Sequence, residues 1–179
     1  MIELIQKFES DFIEAGKLAM SLRKDATVEH KYDSGIEAID IVTSSDLAVQ
    51  EFILKKLAKS DLVKCQLIAE EDTPSCSLFA DESELVLTLD PIDGTKQYAE
   101  GGKFYSVIVT LHDKKRPLYT FDYFPELGWG IKMVNDEVSF IGQTPVDLGV
   151  EIPKKTISYP GFEGMIHPSQ VAPEVCENG

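Results

Sequence analysis

Two stretches hold the residues best suited to chemistry. Asp90-Pro91-Ile92-Asp93-Gly94-Thr95 directly follows an apolar run. Asp90 is expected at the end of a strand, and Pro91, with no N–H to give to a ladder, is expected to force a turn there. Such a turn swings Asp93 back beside Asp90. Gly94 opens a backbone conformation closed to most residues, and Thr95 can start a short helix whose free N–H groups suit a phosphate. The second stretch, Ala69-Glu70-Glu71-Asp72, ends the preceding strand candidate, twenty residues earlier. If the two strands are neighbours, Glu70 meets Asp90 and Asp93. Like charges about 4 Å apart repel by about 4 kcal/mol at an effective dielectric of about 20, so three carboxylates in one pocket either protonate or bind cations. With only oxygen ligands and no nearby His or Cys, magnesium, manganese or calcium is favoured over zinc.

The elements that must position these residues follow from periodicity. Ile5, Phe8, Phe12, Ala15, Ala19 and Leu22 recur at helical spacing and predict one long amphipathic helix. Ile39 to Thr43 reads as extended, and Ser44 or Ser45 offers an N-cap for a second helix with Ala48, Phe52 and Leu57 in its buried stripe. Beyond residue 60 the period drops towards two. Cys65 to Ala69, Glu84 to Asp90, Ser106 to His112, Leu118 to Phe124, Trp129 to Val134 and Val138 to Ile141 are the strand candidates. Asp113 to Arg116, Pro125 to Gly128 and Asn135-Asp136 are turns between them. Short turns imply antiparallel neighbours, so the expected class is α+β, with two helices packed on one face of a mainly antiparallel sheet. After Gly142 five of the nine prolines occur with no long apolar pattern, and Thr156 to Tyr159 is a strand candidate with no partner after it. This tail is expected to be partly disordered.

Composition removes several classes of function. A formal charge of −14 and a pI near 4.5 argue against a nucleic-acid polymer as partner, and an anionic substrate would need cations as intermediaries. No apolar run approaches the roughly 18 residues of a membrane span, and the N-terminus is not patterned as a secretory signal, so no membrane partner is expected. Cys65, Cys76 and Cys176 fit neither a disulfide framework nor a thiolate metal site, which makes a reducing cytoplasm the expected location. His30, His112 and His167 are scattered and read as surface or packing residues.

Val42-Thr43-Ser44-Ser45-Asp46, Glu70-Glu71 and Asp90 to Thr95 resemble, in order and spacing, the signature of the magnesium-dependent, lithium-sensitive phosphatases of the inositol monophosphatase superfamily. The resemblance covers roughly residues 1–160. It implies the N-terminal domain of a layered αβαβα phosphatase fold and hydrolysis of a small phosphorylated metabolite by metal-activated water. It also implies that Glu70, Asp90 and the Ile92 carbonyl hold a first magnesium, Asp90 and Asp93 a second, and Glu70 a weaker third. The same resemblance implies that Asp46 and Thr95, with Glu70, would carry catalysis by orienting and deprotonating the water, while Asp93, Gly94 and Thr95 would receive the phosphate. Glu71 stands behind these ligands. Asp46 also suits the first turn of a helix through the dipole.

The chain departs from the family pattern in one place. Trp129 is its only tryptophan and precedes Gly130, so the Trp-Asp-x-x-Ala-Gly segment, whose Asp completes the second metal site, is absent. The expectation is therefore half of a two-domain phosphatase: residues 1–142 as the metal-binding domain and 143–179 as linker and start of a largely missing α/β domain. Gly94-Thr95-Lys96 followed by Gln97-Tyr98 looks somewhat like the 3′(2′),5′-bisphosphate nucleotidase branch, which stays open as an alternative substrate class. An inactive cation-binding fragment is the other alternative. A homodimer stays open as the means of completing the half-site.

Overall fold

The apolar stripe that begins at Ile5 folds as two helical segments in the computed structural model, which describes residues 1–30 and 41–142. Helix α1 (Ile2–Ile5) passes through a 3-10 turn, Gln6–Phe8, into α2 (Glu9–Leu22), because Phe8 at φ −97° and ψ 3° leaves helical geometry. The expected single helix is thus broken once. Its inward face is as expected, with Ile5, Phe12, Ala15 and Ala19 fully buried. A short antiparallel pair, β1 (Val28–His30) and β2 (Ile41–Thr43), leads into α3 (Ser44–Leu57).

The N-cap of α3 is Thr43 rather than either serine. Its side chain accepts from Ser45 N at 3.2 Å while Asp46 accepts from Thr43 N at 2.8 Å, a reciprocal capping box. Starting the helix one residue early fixes its buried stripe as Val49, Ile53, Leu54 and Leu57, leaving Ala48 and Phe52 half-buried. Two polar residues, Asp46 and Gln50, are fully buried on the same helix.

Six strands form one sheet in sequence order: β3 (Gln66–Ala69), β4 (Leu85–Asp93), β5 (Ser106–Asp113), β6 (Pro117–Phe124), β7 (Trp129–Val134) and β8 (Glu137–Gly142). All pairings are antiparallel except β3 with β4, which is parallel. The 3-10 turn Pro74–Leu78 lies in the β3–β4 crossover, and a short helix, α4 (Thr95–Ala99), separates β4 from β5. The hairpin between β7 and β8 turns on Asn135 and Asp136, both at positive φ, which matches the right-handed twist of the strands it joins.

Alternation divides the sheet's faces. Leu87, Leu89, Val107, Val109, Leu111, Tyr119 and Phe121 are buried in one core with α2 and α3, and Phe12 meets Phe121 edge-on with centroids 5.2 Å apart. The architecture is the expected α+β layering. On the opposite face the register aligns Ile68, Thr88, Thr110, Thr120, Met133 and Val138 across all six strands. The neighbouring row contains Asp90, Ile108, Asp122, Ile131 and Phe140. Ile68, Ile131, Val138 and Phe140 on this face are exposed. No helix among the described residues is long and apolar enough to cross a membrane. The strand expected at Thr156 to Tyr159, the disorder expected of the tail, and the domain after residue 142 lie outside the described residues.

Candidate active site

Strand β4 does not stop at Asp90 as its sequence suggests. It runs to Asp93, and its register against β5 shifts between Asp90, which pairs with Ile108, and Asp93, which pairs with Ser106. Pro91 and Ile92 of β4 thus oppose the single residue Val107 of β5, a bulge, and Pro91 sits within it where a ladder N–H is not required. The bulge has a chemical consequence. In a regular strand, residues three apart point to opposite faces, whereas the extra residue returns Asp93 to the face of Asp90. Parallel pairing of β3 places Ala69 beside Leu89, and Glu70, the next residue, donates its N–H to Leu89 O at 3.0 Å. Glu70, Asp90 and Asp93 therefore gather at one end of two neighbouring strands.

The helix layer supplies the other wall. Asp46 is fully buried, and its Oδ2 accepts from both the N–H and the hydroxyl of Thr43, at 2.8 and 2.5 Å. That fixes the carboxylate so that its other oxygen, Oδ1, lies 3.4 Å from the Thr95 hydroxyl. Thr95 also donates towards Ile92 O at 3.1 Å, so one hydroxyl hydrogen has two acceptors. Gly94 makes this approach feasible: it sits at φ 85°, and a Cβ there would lie 3.0 Å from Phe104 O. Helix α4 is then anchored through Tyr98, whose phenol donates to Ala19 O at 2.7 Å and lies 2.8 Å from Ser45 Oγ.

Residues that the sequence reading passed over hold the two acidic stretches together. Gln50, one turn after Asp46, donates to Glu71 O at 2.5 Å and accepts from Glu71 N at 3.0 Å, clamping the backbone of the Glu70-Glu71 pair to α3. Glu51 accepts from Ser75 N and Oγ at 3.1 and 2.9 Å, tying the next 3-10 turn to the same helix. The readable signal was a glutamine interrupting an apolar helical stripe.

Electrostatics follow from this crowding. Burial, then the charge and hydrogen bond of Glu70, then Asp93, push the Asp90 carboxyl up to about 9. Asp90 also accepts from Ile92 N at 3.1 Å, which favours its charge but does not reverse the rise. Asp93 is raised by burial of its surroundings and by Glu70, although its side chain reaches solvent and a backbone hydrogen bond from Gly94 opposes the shift. Asp46 is raised chiefly by burial, with Glu70 and Glu71 adding to it and the Thr43 bonds working against it.

Among the described residues, no three acidic, histidine or cysteine side chains are splayed around a single point as an enclosed ion requires. Glu70 and Asp90 instead hydrogen-bond to each other. The donor chemistry nevertheless fits a hard divalent cation: an oxygen-only set whose crowding a positive charge relieves. Glu70, Asp90, the Ile92 carbonyl and Asp93 are the groups that could hold it. Cys65 and Cys76 are free thiols, and Cys65 is buried.

A sequence profile of the inositol monophosphatase family matches residues 3–142. Inositol monophosphatase 3 of Solanum lycopersicum is 26% identical over 142 residues, covering 79% of this chain and 53% of that protein. An IMPase of Thermotoga maritima superposes with a TM-score of 0.65 at 22% identity, over 79% of this chain and 52% of that one. An IMPase/NADP phosphatase complexed with Mg2+ and phosphate superposes with a TM-score of 0.62 at 21% identity, over 78% and 51%. The chain thus spans about half the length of the relatives it matches. With the acidic strand ends, the capped helix and the bulged Asp90 to Thr95 segment all inside the matched region, the chain belongs to the inositol monophosphatase family.

Proposed function

We propose that residues 1–142 form the cation-binding and water-activating domain of a magnesium-dependent phosphomonoesterase acting on a small, inositol monophosphate-like metabolite. Residues 143–179 would begin its second domain. The observation that carries this reading is the β4 bulge, which brings Asp90 and Asp93 onto one face beside Glu70 and opposite the Asp46–Thr95 pair. The IMPase/NADP phosphatase complexed with Mg2+ and phosphate is consistent with it.

Glu70, Asp90 and the Ile92 carbonyl are assigned to a first magnesium, Asp90 and Asp93 to a second, and Glu70 to a weaker third. Bound magnesium lowers the pKa of water, neutralises phosphate charge and stabilises the departing oxygen. The chain's own residues do the rest. Asp46, pinned through Oδ2, presents Oδ1 to Thr95, and the pair takes the proton from the water that attacks phosphorus. Burial holds the Asp46 pKa above the usual carboxylate value, which makes the carboxylate a better acceptor for that proton. The backbone N–H groups of Gly94 and Thr95, at the start of α4, are assigned to phosphate oxygens, the Gly94 N–H once it leaves the Asp93 carboxylate it bonds here, while Gln50 keeps Glu70 and Glu71 in register with Asp46. The ester P–O bond breaks, and no covalent bond to the enzyme forms.

Lys96-Gln97-Tyr98 keeps a bisphosphate nucleotide as the second substrate class, and the Cys65 and Cys76 thiols are compatible with a reducing cytoplasm. The test is phosphate release by the full chain, with and without magnesium, from inositol monophosphate and adenosine 3′,5′-bisphosphate. Release that requires magnesium and is lost in Asp90→Asn supports the assignment and ranks the substrates. Release indifferent to both overturns it. Cation binding without release would leave an inactive cation-binding fragment.

A further inference from the structure

Helix α4 is too short to hold its own place. It has five residues, well below the roughly 12–15 at which an isolated helix becomes marginally stable. Yet it carries Thr95, whose hydroxyl lies 3.4 Å from Asp46 Oδ1. That separation is at the outer limit of a hydrogen bond, so a small outward shift of α4 breaks it.

The contacts that seat α4 converge on Arg23, the residue directly after α2. Its guanidinium carbon lies 4.8 Å from the ring centre of Tyr98 and 4.6 Å from that of Tyr105, and these two rings meet edge-on at 5.0 Å. Nη2 donates to Gly102 O at 2.6 Å, and Nη1 donates to Glu126 Oε1 at 3.1 Å. Tyr98 belongs to α4, Gly102 to the loop after it, and Tyr105 immediately precedes β5. One side chain thus grips the whole α4–β5 connection, and Gly102 N–H, donating to Gln97 O at 2.7 Å, ties loop and helix into one piece. The buried Nε of Arg23 has no acceptor among the described residues, a cost that a guanidinium placed only for solubility would not bear.

The grip reaches the site through Tyr98. This tyrosine is fully buried, three residues after Thr95 on the same helix. Its phenol donates to Ala19 O at 2.7 Å, one turn before Arg23, and lies 2.8 Å from Oγ of Ser45, the residue before Asp46. The contacts that seat Tyr98 beside Arg23 therefore also set how closely Thr95 approaches Asp46. We propose that Arg23 is a positioning residue for the Asp46–Thr95 pair, fixing α4 against α2 and the first turn of α3. This rests on the proposed function for what the pair does. A lysine keeps the charge but has neither a flat face for two rings nor two N–H groups in fixed directions.

The experiment compares the full wild-type chain with Arg23→Lys. Amide hydrogen exchange and the nuclear Overhauser contact between the Thr95 and Asp46 side chains are read without metal. Arg23→Lys should lose that contact and speed exchange at Tyr98, Glu100, Gly101 and Gly102 by about tenfold or more, with the amides of Val109, Leu111 and Phe121 unchanged. In magnesium-dependent phosphate release from inositol monophosphate, kcat should fall by about tenfold or more while the magnesium concentration for half-maximal rate stays unchanged. Arg23→Lys added to Thr95→Ala should cost nothing further, because Arg23 acts through Thr95. A retained Thr95–Asp46 contact overturns the proposal, whatever happens to exchange. Acceleration at α4 and at the strands together overturns it by making Arg23 a general support of the fold, and losses in kcat that multiply in the double variant overturn it as well. A wild type that releases no phosphate sinks the proposed function alone, because exchange and the Overhauser contact still decide what Arg23 does. If Arg23→Lys does not fold by circular dichroism, Glu126→Ala, which frees one side of the guanidinium, decides in its place. The contact is then weakened and α4 exchange accelerated if the proposal holds, and both stay as in wild type if it fails.

Discussion

Replacing Asp90 by asparagine should make the metal-free protein more stable while removing a carboxylate proposed to bind the cation. Asp90 is raised from 3.8 to about 9 by burial and by Glu70 and Asp93. Because the folded-state value lies above the unfolded one, the folded protein holds the proton more tightly. Stability is therefore greatest in acid and is lost as pH rises from about 4 towards about 9. At pH 7 the unfolded chain gains by ionising Asp90 while the folded chain does not, a penalty of about 1.4 kcal/mol per pH unit above 3.8, or about 4 kcal/mol. At pH 5.5 the same arithmetic gives about 2 kcal/mol. Asparagine is neutral in both states and can still donate to Glu70, so Asp90→Asn removes most of this penalty. For a domain of this size that is roughly 10 °C in Tm at pH 7. Thermal unfolding by circular dichroism in EDTA, from pH 5.5 to 8.5, measures it. The gap between Asp90→Asn and wild type should widen with pH, and magnesium should narrow it by stabilising the wild type alone. A gap that is absent, reversed or flat with pH refutes the idea that three acidic groups crowd one another here.

Three further substitutions test the supports of the site. Gly94→Ala places a side chain at φ 85° and 3.0 Å from Phe104 O, and should cost about 1–2 kcal/mol, read as a fall in Tm. Gln50→Leu leaves the Glu71 N–H and carbonyl without their clamp and should cost about 1–3 kcal/mol, with faster hydrogen exchange at the Glu71 amide as the direct readout. Thr95→Ala should cut magnesium-dependent phosphate release by about 100-fold or more while leaving the magnesium-induced rise in Tm intact, whereas Thr95→Ser retains most of the activity.

Much of the sheet was readable because β5 and β6 alternate and the later strands are set off by unambiguous turns such as Asn135-Asp136. The limits have physical causes. Pro91 is equally at home ending a strand and sitting in a bulge, and only the pairing with β5 decides between them. That β3 neighbours β4 in parallel depends on the crossover through residues 70–84, which has no local periodicity to announce it. Thr43, Ser44 and Ser45 are all good caps, and the one that wins is set by the reciprocal bond from Asp46, a Thr-x-x-Asp spacing visible in the sequence. The site's carboxylates were legible as a set, since Glu70, Asp90 and Asp93 flank apolar strands at matching ends. Gln50 was less so, because a buried polar residue on a helix resembles an exposed one until its partners are known.

Anomalous diffraction from crystals of the full chain grown with saturating Mn2+ at neutral pH tests the central claim most directly. The account predicts a manganese peak roughly 2–2.5 Å from carboxylate oxygens of Glu70 and Asp90 and from the Ile92 carbonyl, with a second peak bonded to Asp93. Manganese found only on other acidic residues, with Glu70 and Asp90 still hydrogen-bonded to each other, would contradict it.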